Sequence, residues 1–258
     1  MNNFYATFLL GLMAVVAPLC SASSLMAYKV LDEKLHDEKA FTQGFIVQQK
    51  MLYESSGLFG ESYITVYDKQ TNQISLKYHL PKNIFAEGLT VRGDTVYVLS
   101  WKNGTLLTYD KKTFSPGKTY SYTGEGWGLT HTEKHFAMSD GSSTLFFRRF
   151  SDFAVENTLT VSLQGTPVQR LNELEYAKGY IWANVWQKPL ILKIHPDTGI
   201  VEGVANLKAL LPKFHLYPKA DVLNGIAYDL DTDAFWVTGK FWPKRYLIQF
   251  DSGTTKNP

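Results

Sequence analysis

The pattern of hydrophobic and polar positions predicts short β-strands along most of the chain. Runs such as MLYESS from Met51, TVYVLSW from Thr95 and YIWANVW from Tyr180 alternate apolar and polar residues or are rich in β-branched and aromatic ones. Both features are typical of strands. Turn-forming pairs such as Asp68-Lys69 and Asp110-Lys111 stand where such runs end. The chain is therefore predicted to be an all-β protein.

A short motif recurs along the chain and divides it into five units. The motif is a polar residue, then usually glycine, then an aliphatic or aromatic residue. It occurs at Gln43-Gly44-Phe45, Glu87-Gly88-Leu89, Trp127-Gly128-Leu129, Asn172-Glu173-Leu174 and Asn224-Gly225-Ile226. The repeats are spaced by 40 to 52 residues, and each unit holds about four predicted strands. Units of this size are typical of propeller blades, so the sequence predicts a five-bladed β-propeller.

A fourth, outer strand is predicted after most units, as ISLKYHL from Ile74, KTYSYT from Lys118 and TLTVSL from Thr158. The last unit lacks such a strand, because only a short polar tail follows Asp251. The N-terminal run from Tyr28 to Leu35, YKVLDEKL, has the length and composition of a strand. We therefore predict that this N-terminal strand completes the last blade and closes the ring.

The first residues have the character of a targeting signal. The stretch from Phe4 to Leu19 is apolar and carries no charge, and the small residues from Cys20 to Ser24 suit cleavage by signal peptidase. We interpret 1–22 as a signal peptide and 23–258 as a single domain, which would be periplasmic or secreted. The alternative is an uncleaved anchor, since no Lys or Arg precedes the apolar run.

Composition and charge exclude several classes of partner. The 26 Lys and Arg residues nearly balance the 24 Asp and Glu residues, which leaves a formal net charge of +2. Nucleic acid is therefore not expected as a partner, nor is a membrane surface once the signal is cleaved. A single cysteine rules out a disulfide scaffold. We expect a monomer.

The repeat also predicts where the functional residues lie. The first strand of a propeller blade lines the central channel, so the residue before each repeated glycine is expected at the axis. A second register, thirteen residues after that glycine, lies where the second strand of each blade ends. It contains Gly57, Trp101, Gly141, Trp186 and, with an offset of two residues in the last blade, Lys240. Both registers are expected at one mouth of the channel.

Together the two registers bring one carboxylate, one ammonium group, several amides and three tryptophans to a common cleft. For a single tryptophan, packing in the core is the simpler interpretation, and Glu87 could serve only as an ion-pair partner of Lys240. Three tryptophans in the two channel registers make a binding site as good an interpretation as packing. The six histidines are scattered, so no metal site is predicted. The sequence leaves open a structural calcium ion in the channel.

Seven motifs, in order, carry a resemblance to a known family. They are FTQG from Phe41 with YESSG from Tyr53, FAEGLT from Phe85, GEGWGLT from Gly124, LNELEY from Leu171, ANVW from Ala183, NGIA from Asn224 and VTGK from Val237. Between about residues 36 and 250 the chain resembles the plant-type glutaminyl-peptide cyclotransferases, or glutaminyl cyclases, including their bacterial members. That family has a five-bladed propeller.

The resemblance implies an activity and a set of site residues. Members convert an N-terminal glutaminyl residue into pyroglutamate and release ammonia, so the implied partners are peptides and proteins that begin with Gln. No catalytic zinc or other cofactor is implied. The positions that match the family's site are Glu87, Lys240 and Asn172 as catalytic residues, and Gln43, Trp101, Trp127 and Trp186 as substrate-binding residues.

Two other functions remain compatible with the residues alone. The first is a catalytically silent propeller that binds an extracellular peptide or sugar at the same aromatic mouth. The second is a metal-dependent lactonase, which is disfavoured because the channel registers contain no convergent Glu/Asn/Asp set.

Overall fold

The structure is a computed structural model that describes residues 23–251, and its strands confirm the predicted five-bladed β-propeller. The predicted signal peptide, 1–22, lies outside the described residues. Within them, helical structure is limited to one short 3-10 turn, Lys208–Leu210. No helix of residues 23–251 has the length and hydropathy needed to cross a membrane.

Each blade is an antiparallel sheet of four strands. From the axis outwards, the strands of blade one are Thr42–Gln48, Met51–Ser56, Tyr63–Asp68 and Ile74–His79, and those of blade two are Ala86–Arg92, Thr95–Ser100, Thr105–Asp110 and Tyr120–Ser121. Blade three consists of Leu129–His131, Phe136–Met138, Thr144–Arg148 and Val155–Thr160, and blade four of Leu171–Ala177, Tyr180–Val185, Leu190–Ile194 and Val201–Asn206. Blade five consists of Leu223–Asp229, Ala234–Gly239, Lys244–Phe250 and Tyr28–Leu35. The first strand of each blade contacts the first strands of both neighbouring blades, which makes a ring.

Three short strands lie outside this pattern. Ser24–Leu25 runs parallel to Val201–Asn206 and adds a fifth strand to blade four. Ser162–Leu163 and Thr166–Pro167 form a small hairpin between blades three and four. None of them reaches the axis.

The N-terminal strand of the described chain is the outer strand of blade five. Tyr28–Leu35 pairs antiparallel with Lys244–Phe250. Most of its side chains are exposed, as expected for the outer edge of a blade. The two ends of the described chain therefore meet in one sheet.

Two outer strands differ from their predicted extents. The strand predicted from Lys118 is shorter, with only Tyr120–Ser121 in the sheet, and just before it the Thr108 hydroxyl donates to the Lys118 carbonyl at 2.6 Å. The outer strand of blade three begins at Val155, three residues before its predicted start at Thr158. Its side chains are largely exposed and polar, so the apolar pattern reveals only its second half.

The repeated glycine is explained by the close approach of neighbouring inner strands. A Cβ atom on Gly44 would lie within 3.0 Å of the Leu89 amide nitrogen, and one on Gly88 within 3.0 Å of that of Leu129. Any larger residue would push adjacent blades apart. The fourth unit has Glu173 at this position, where its carboxyl oxygens accept bonds across the axis from two backbone amides, those of Phe45 at 3.2 Å and Ile226 at 2.8 Å.

The apolar core lies between the blades. It is divided into five clusters of buried side chains, each shared by two adjacent blades. The axis itself carries polar side chains such as Gln43, Glu87 and Asn224, all less than 5% exposed. Buried polar groups are therefore concentrated at the hub, and the apolar side chains that stabilise the fold lie around it.

Candidate active site

Both sequence registers meet at one mouth of the channel, around a cavity of about 360 Å³. This volume lies within the usual range for small-molecule sites. The structure brings to this cavity all seven site residues predicted from the sequence. Its walls are formed by Phe41, Gln43, Phe85, Glu87, Trp101, Trp127, Asn172, Trp186, Asp221 and Lys240.

A recurring backbone hydrogen bond places the second register at this mouth. In four blades the backbone amide of the second-register residue donates a hydrogen bond to a carbonyl just before the inner strand of the same blade. The acceptor residue stands three positions before the motif glycine, or before Glu173, which takes the place of that glycine in blade four. The pairs are Gly57 to Phe41 at 2.9 Å, Trp101 to Phe85 at 3.0 Å, Trp186 to Arg170 at 2.8 Å and Lys240 to Val222 at 3.0 Å. Lys240 is therefore the equivalent position in blade five, including its two-residue offset.

The two glycines of the second register make room for aromatic rings. A Cβ atom on Gly57 would lie within 3.0 Å of the Phe85 ring, and one on Gly141 would lie 2.7 Å from the Trp127 ring. Where the register has no side chain, an aromatic ring fills the space: Phe85 of the next blade beside Gly57, and Trp127 of the same blade beside Gly141.

Glu87 is the buried carboxyl group of this cavity, and a chain of amides orients it. It is 4% exposed and accepts a hydrogen bond from Gln43 Nε2 at 2.8 Å. Asn224 Nδ2 donates to Gln43 Oε1 at 3.3 Å and to the Thr42 carbonyl at 2.9 Å. Because Asn224 occupies the Gln43 oxygen, the Gln43 amide nitrogen faces Glu87.

Burial favours the protonated form of this carboxyl group. Desolvation raises the pKa of Glu87 well above its usual range, the charge of Lys240 lowers it, and that of Glu125 raises it further. Burial lowers the pKa of Lys240 below its usual range, although the charges of Glu87 and Asp221 raise it in part. Perturbed groups facing one cavity are typical of catalytic sites.

Aromatic side chains form most of the cavity wall. Trp101 packs against Phe85 with ring centroids 5.3 Å apart, and Trp127 meets Trp186 edge to face at 5.6 Å. Lys240 Nζ lies 4.2 Å from the centre of the Phe41 ring. The three tryptophans are half-buried, so part of each ring remains accessible at the mouth.

Asn172 contributes an amide with free hydrogen-bonding capacity. Asn172 is 3% exposed, and its Oδ1 atom has no hydrogen-bond partner among the described residues. Its backbone carbonyl accepts from the Ser139 hydroxyl at 2.7 Å, which fixes the strand here. A buried amide oxygen without a partner can accept a hydrogen bond from a ligand.

Three wall residues, Phe41, Phe85 and Asp221, were not among the site residues predicted from the sequence. A signal for two of them exists in the repeat, because Phe41 and Phe85 both stand three positions before the motif glycine. Asp221 lies in the long connection between blades four and five, which has no equivalent in the other units, so the repeat could not reveal it.

A larger depression, about 770 Å³, lies at the opposite mouth of the channel. Its wall includes Lys69, His131 and Glu175. Burial raises the pKa of Glu175 to about 8 and lowers that of His131. Neither sequence register reaches this depression, so the smaller aromatic cavity is the stronger candidate for chemistry. Within residues 23–251 no group of three or more His, Cys, Asp or Glu side chains is arranged to hold a metal ion.

Comparisons with known proteins agree with this geometry. The family model described as glutamine cyclotransferase matches residues 5–250. The chain is 37% identical over 235 residues to a glutaminyl-peptide cyclotransferase of Arabidopsis thaliana, which covers 89% of this chain and 73% of that protein. It also matches the crystal structure of Myxococcus xanthus glutaminyl cyclase with a TM-score of 0.81 and 34% identity, over 89% of this chain and 98% of that one.

The match covers nearly the whole chain in both sequence and structure, and it includes every strand that carries a cavity residue. The resemblance inferred from the motifs is confirmed: the chain belongs to the glutamine cyclotransferase family.

Proposed function

We propose that this protein is a glutaminyl-peptide cyclotransferase, which converts the N-terminal glutaminyl residue of peptides and proteins into pyroglutamate and releases ammonia. The observation that carries the proposal is a single buried carboxyl group, Glu87, in an aromatic cavity of a chain from this family.

The cavity suits one glutaminyl residue in a folded conformation. In the reaction the substrate's α-nitrogen attacks its own side-chain amide carbon, so nucleophile and electrophile are already tethered. The enzyme's main task is to select the compact conformer that brings them together. A space of about 360 Å³ bounded by Trp101, Trp127 and Trp186 restricts an extended side chain. The faces of these rings also attract the α-ammonium group before it loses its proton.

Glu87 transfers the proton that the reaction must move. A bond forms between the α-nitrogen and the amide carbon, and the bond from that carbon to the side-chain nitrogen breaks. The α-ammonium group first gives one proton to water, and from the resulting neutral amine the attacking nitrogen loses one proton while the departing nitrogen gains one, so ammonia leaves. A raised pKa lets Glu87 begin as the acid that protonates the departing nitrogen, and then take the proton from the attacking nitrogen.

Lys240 and Asn172 are the donors available to the amide oxygen, where negative charge develops. Both are at most 5% exposed and line the cavity. The amide nitrogen of Gln43 is already engaged with Glu87, so Gln43 acts by orienting that carboxyl group. Donors held in place in a buried site stabilise such charge strongly.

The test is the ammonia released from a peptide that begins with Gln. Glu87→Gln preserves shape and the bond from Gln43 but cannot carry the proton, so kcat should fall by about 10² to 10⁴. Glu61→Gln, an exposed glutamate of blade one, is the control and should match the unmodified enzyme. Full activity of Glu87→Gln would refute the role of Glu87. Absence of ammonia with the unmodified protein would instead favour a propeller that only binds peptides or sugars.

We further propose that residues 1–22 direct export and are removed, which leaves a periplasmic or secreted monomer. The support is the uncharged apolar run from Phe4 to Leu19 and the small residues after it. Mass spectrometry of the protein isolated from its host tests the cleavage. A mature N-terminus at Ser23 is expected, and a retained Phe4 to Leu19 segment would indicate an anchor.

A further inference from the structure

One carboxylate oxygen outside the cavity wall joins two of its tryptophans. Glu125 Oε2 accepts hydrogen bonds from Trp101 Nε1 at 2.8 Å and from Trp127 Nε1 at 3.0 Å. The other oxygen, Oε1, lies 3.7 Å from Lys102 Nζ. The side chain of Glu125 is 40% exposed, so it borders the mouth of the cavity.

The loop that carries Glu125 is fixed to the same wall. It connects the outer strand of blade two to the inner strand of blade three. The Gly126 amide donates to the Trp101 carbonyl at 3.0 Å, and a Cβ atom on Gly126 would lie within 3.0 Å of the Tyr122 ring. The carboxylate is thus presented from a backbone that Trp101 itself holds.

Without Glu125 the aromatic wall divides into two parts. Trp101 belongs to a group of rings centred on Phe85, while Trp127 pairs with Trp186. Among the described residues no ring contact joins Trp101 to Trp127. The shared carboxylate oxygen connects the two groups, and with them blades two and three.

We propose that Glu125 is a positioning residue, whose shared oxygen holds Trp101 and Trp127 in the orientation that binds the N-terminal glutaminyl residue. This inference rests on the proposed function. It assigns no proton transfer to Glu125, which acts through the two rings.

The charge of Glu125 adds to this effect. Burial raises the pKa of Glu125, but the bonds from the two indoles and the charge of Lys102 outweigh that and hold it below its usual range. The group is therefore a carboxylate at neutral pH. An indole that donates to an anion has a more electron-rich face, which strengthens its attraction for the substrate's α-ammonium group.

Two substitutions separate geometry from charge. Glu125→Ala removes the acceptor and should raise KM for a Gln-initiated peptide by about tenfold, because two wall residues lose a bond to a charged group. Its kcat should change by less than about threefold, since Glu87 keeps its place and the charge of Glu125 is the smallest of the three influences on the pKa of Glu87. Glu125→Gln keeps one carbonyl oxygen for the indoles and should recover most of the lost affinity. Glu125→Ser, measured in parallel, serves if the alanine variant does not fold. The control is Glu133→Ala, an exposed glutamate at the opposite mouth, with unchanged constants.

The indole N–H signals in a ¹⁵N–¹H NMR spectrum give a readout that does not depend on turnover. The chain has six tryptophans. In Glu125→Ala two indole signals should move upfield, and in Glu125→Gln the same two should move less.

Unchanged KM in Glu125→Ala, or a loss confined to kcat, would overturn the proposal, as would indole signals that stay in place. If the unmodified protein releases no ammonia, the proposed function fails. The indole signals then still decide whether Glu125 holds the two rings.

Discussion

Replacing His36 with alanine tests how the ring of blades is held closed. His36 directly follows the outer strand of blade five, and its Nε2 atom lies 2.9 Å from Oε1 of Glu54, in blade one. Its other ring nitrogen lies 2.7 Å from the Trp242 carbonyl oxygen. The side chains of His36 and Glu54 are only 1% and 3% exposed, so the pair is shielded from water.

The expected cost follows from what remains after the substitution. Removing one partner of a buried ion pair typically costs about 3 to 5 kcal/mol, because the other charge is left buried. Glu54 keeps hydrogen bonds from the hydroxyls of Thr42 at 2.6 Å and Tyr67 at 3.3 Å. We therefore expect the lower end, about 3 kcal/mol. For a chain of this size that lowers Tm by about 6 to 12 °C.

Urea unfolding at pH 6, followed by far-ultraviolet circular dichroism, measures the loss. The control is His135→Ala, because His135 Nε2 also lies 2.9 Å from a glutamate, Glu156, but the two side chains are 27% and 50% exposed. An exposed pair contributes at most about 1 kcal/mol, so the control should stay near the unmodified protein. Equal, small losses in both variants would refute the account of ring closure.

The pH dependence of the difference gives a second check. Burial lowers the pKa of His36, but Glu54 raises it more, so the folded pKa exceeds the ordinary 6.5. Its contribution is complete below that value and is lost as pH rises through the folded pKa. Burial raises the pKa of Glu54, but His36 and Thr42 lower it below the ordinary 4.5. That contribution is present above 4.5 and is lost at lower pH. The effect of His36→Ala should therefore be largest between these two ordinary values.

Three further outcomes are expected. Gly88→Ala should lower the free energy of unfolding by about 1 to 3 kcal/mol, since the added Cβ meets the backbone at Leu129. The control is Gly179→Ala, whose Cβ meets nothing within 4 Å and which should cost only its backbone strain. Equal losses in the two variants would contradict the reasoning. Lys240→Met should raise the pKa of Glu87 further, because the charge of the lysine lowers that pKa. The ¹³C chemical shift of the Glu87 carboxyl group should then titrate at higher pH than in the unmodified protein. A titration at unchanged pH would show that the two groups are not coupled. Dialysis against a chelator should leave ammonia release within about twofold, and a lasting loss that added metal restores would show that a metal takes part.

The sequence predicts the architecture well because the repeat reports on backbone geometry. Gly44 and Gly88 recur since the inner strands of neighbouring blades converge there, whatever the side chains around them do. The same spacing places Trp101 and Lys240 at one mouth before any coordinates are known. Side-chain hydrogen bonds between blades could not be predicted in this way, because they depend on how far each side chain reaches. The bond from Gln43 to Glu87 and the bonds that Trp101 and Trp127 donate to Glu125 have no signature in the spacing of the repeat.

The chemistry of this site arises where the five units differ. Five identical units would surround the axis with five equal groups, and five carboxylates at such distances would repel one another strongly. Here the position before the motif glycine carries an acid only in blade two, as Glu87, and amides or an indole elsewhere. The second register carries a cation only in blade five, as Lys240. Blade one lies between them and supplies Gln43, whose amide bonds to Glu87 on one side and to Asn224 of blade five on the other. One buried acid and one cation therefore face the same cavity from two sides of a neutral amide, which is the asymmetry that the proposed transfer of a proton between two nitrogens of one substrate requires.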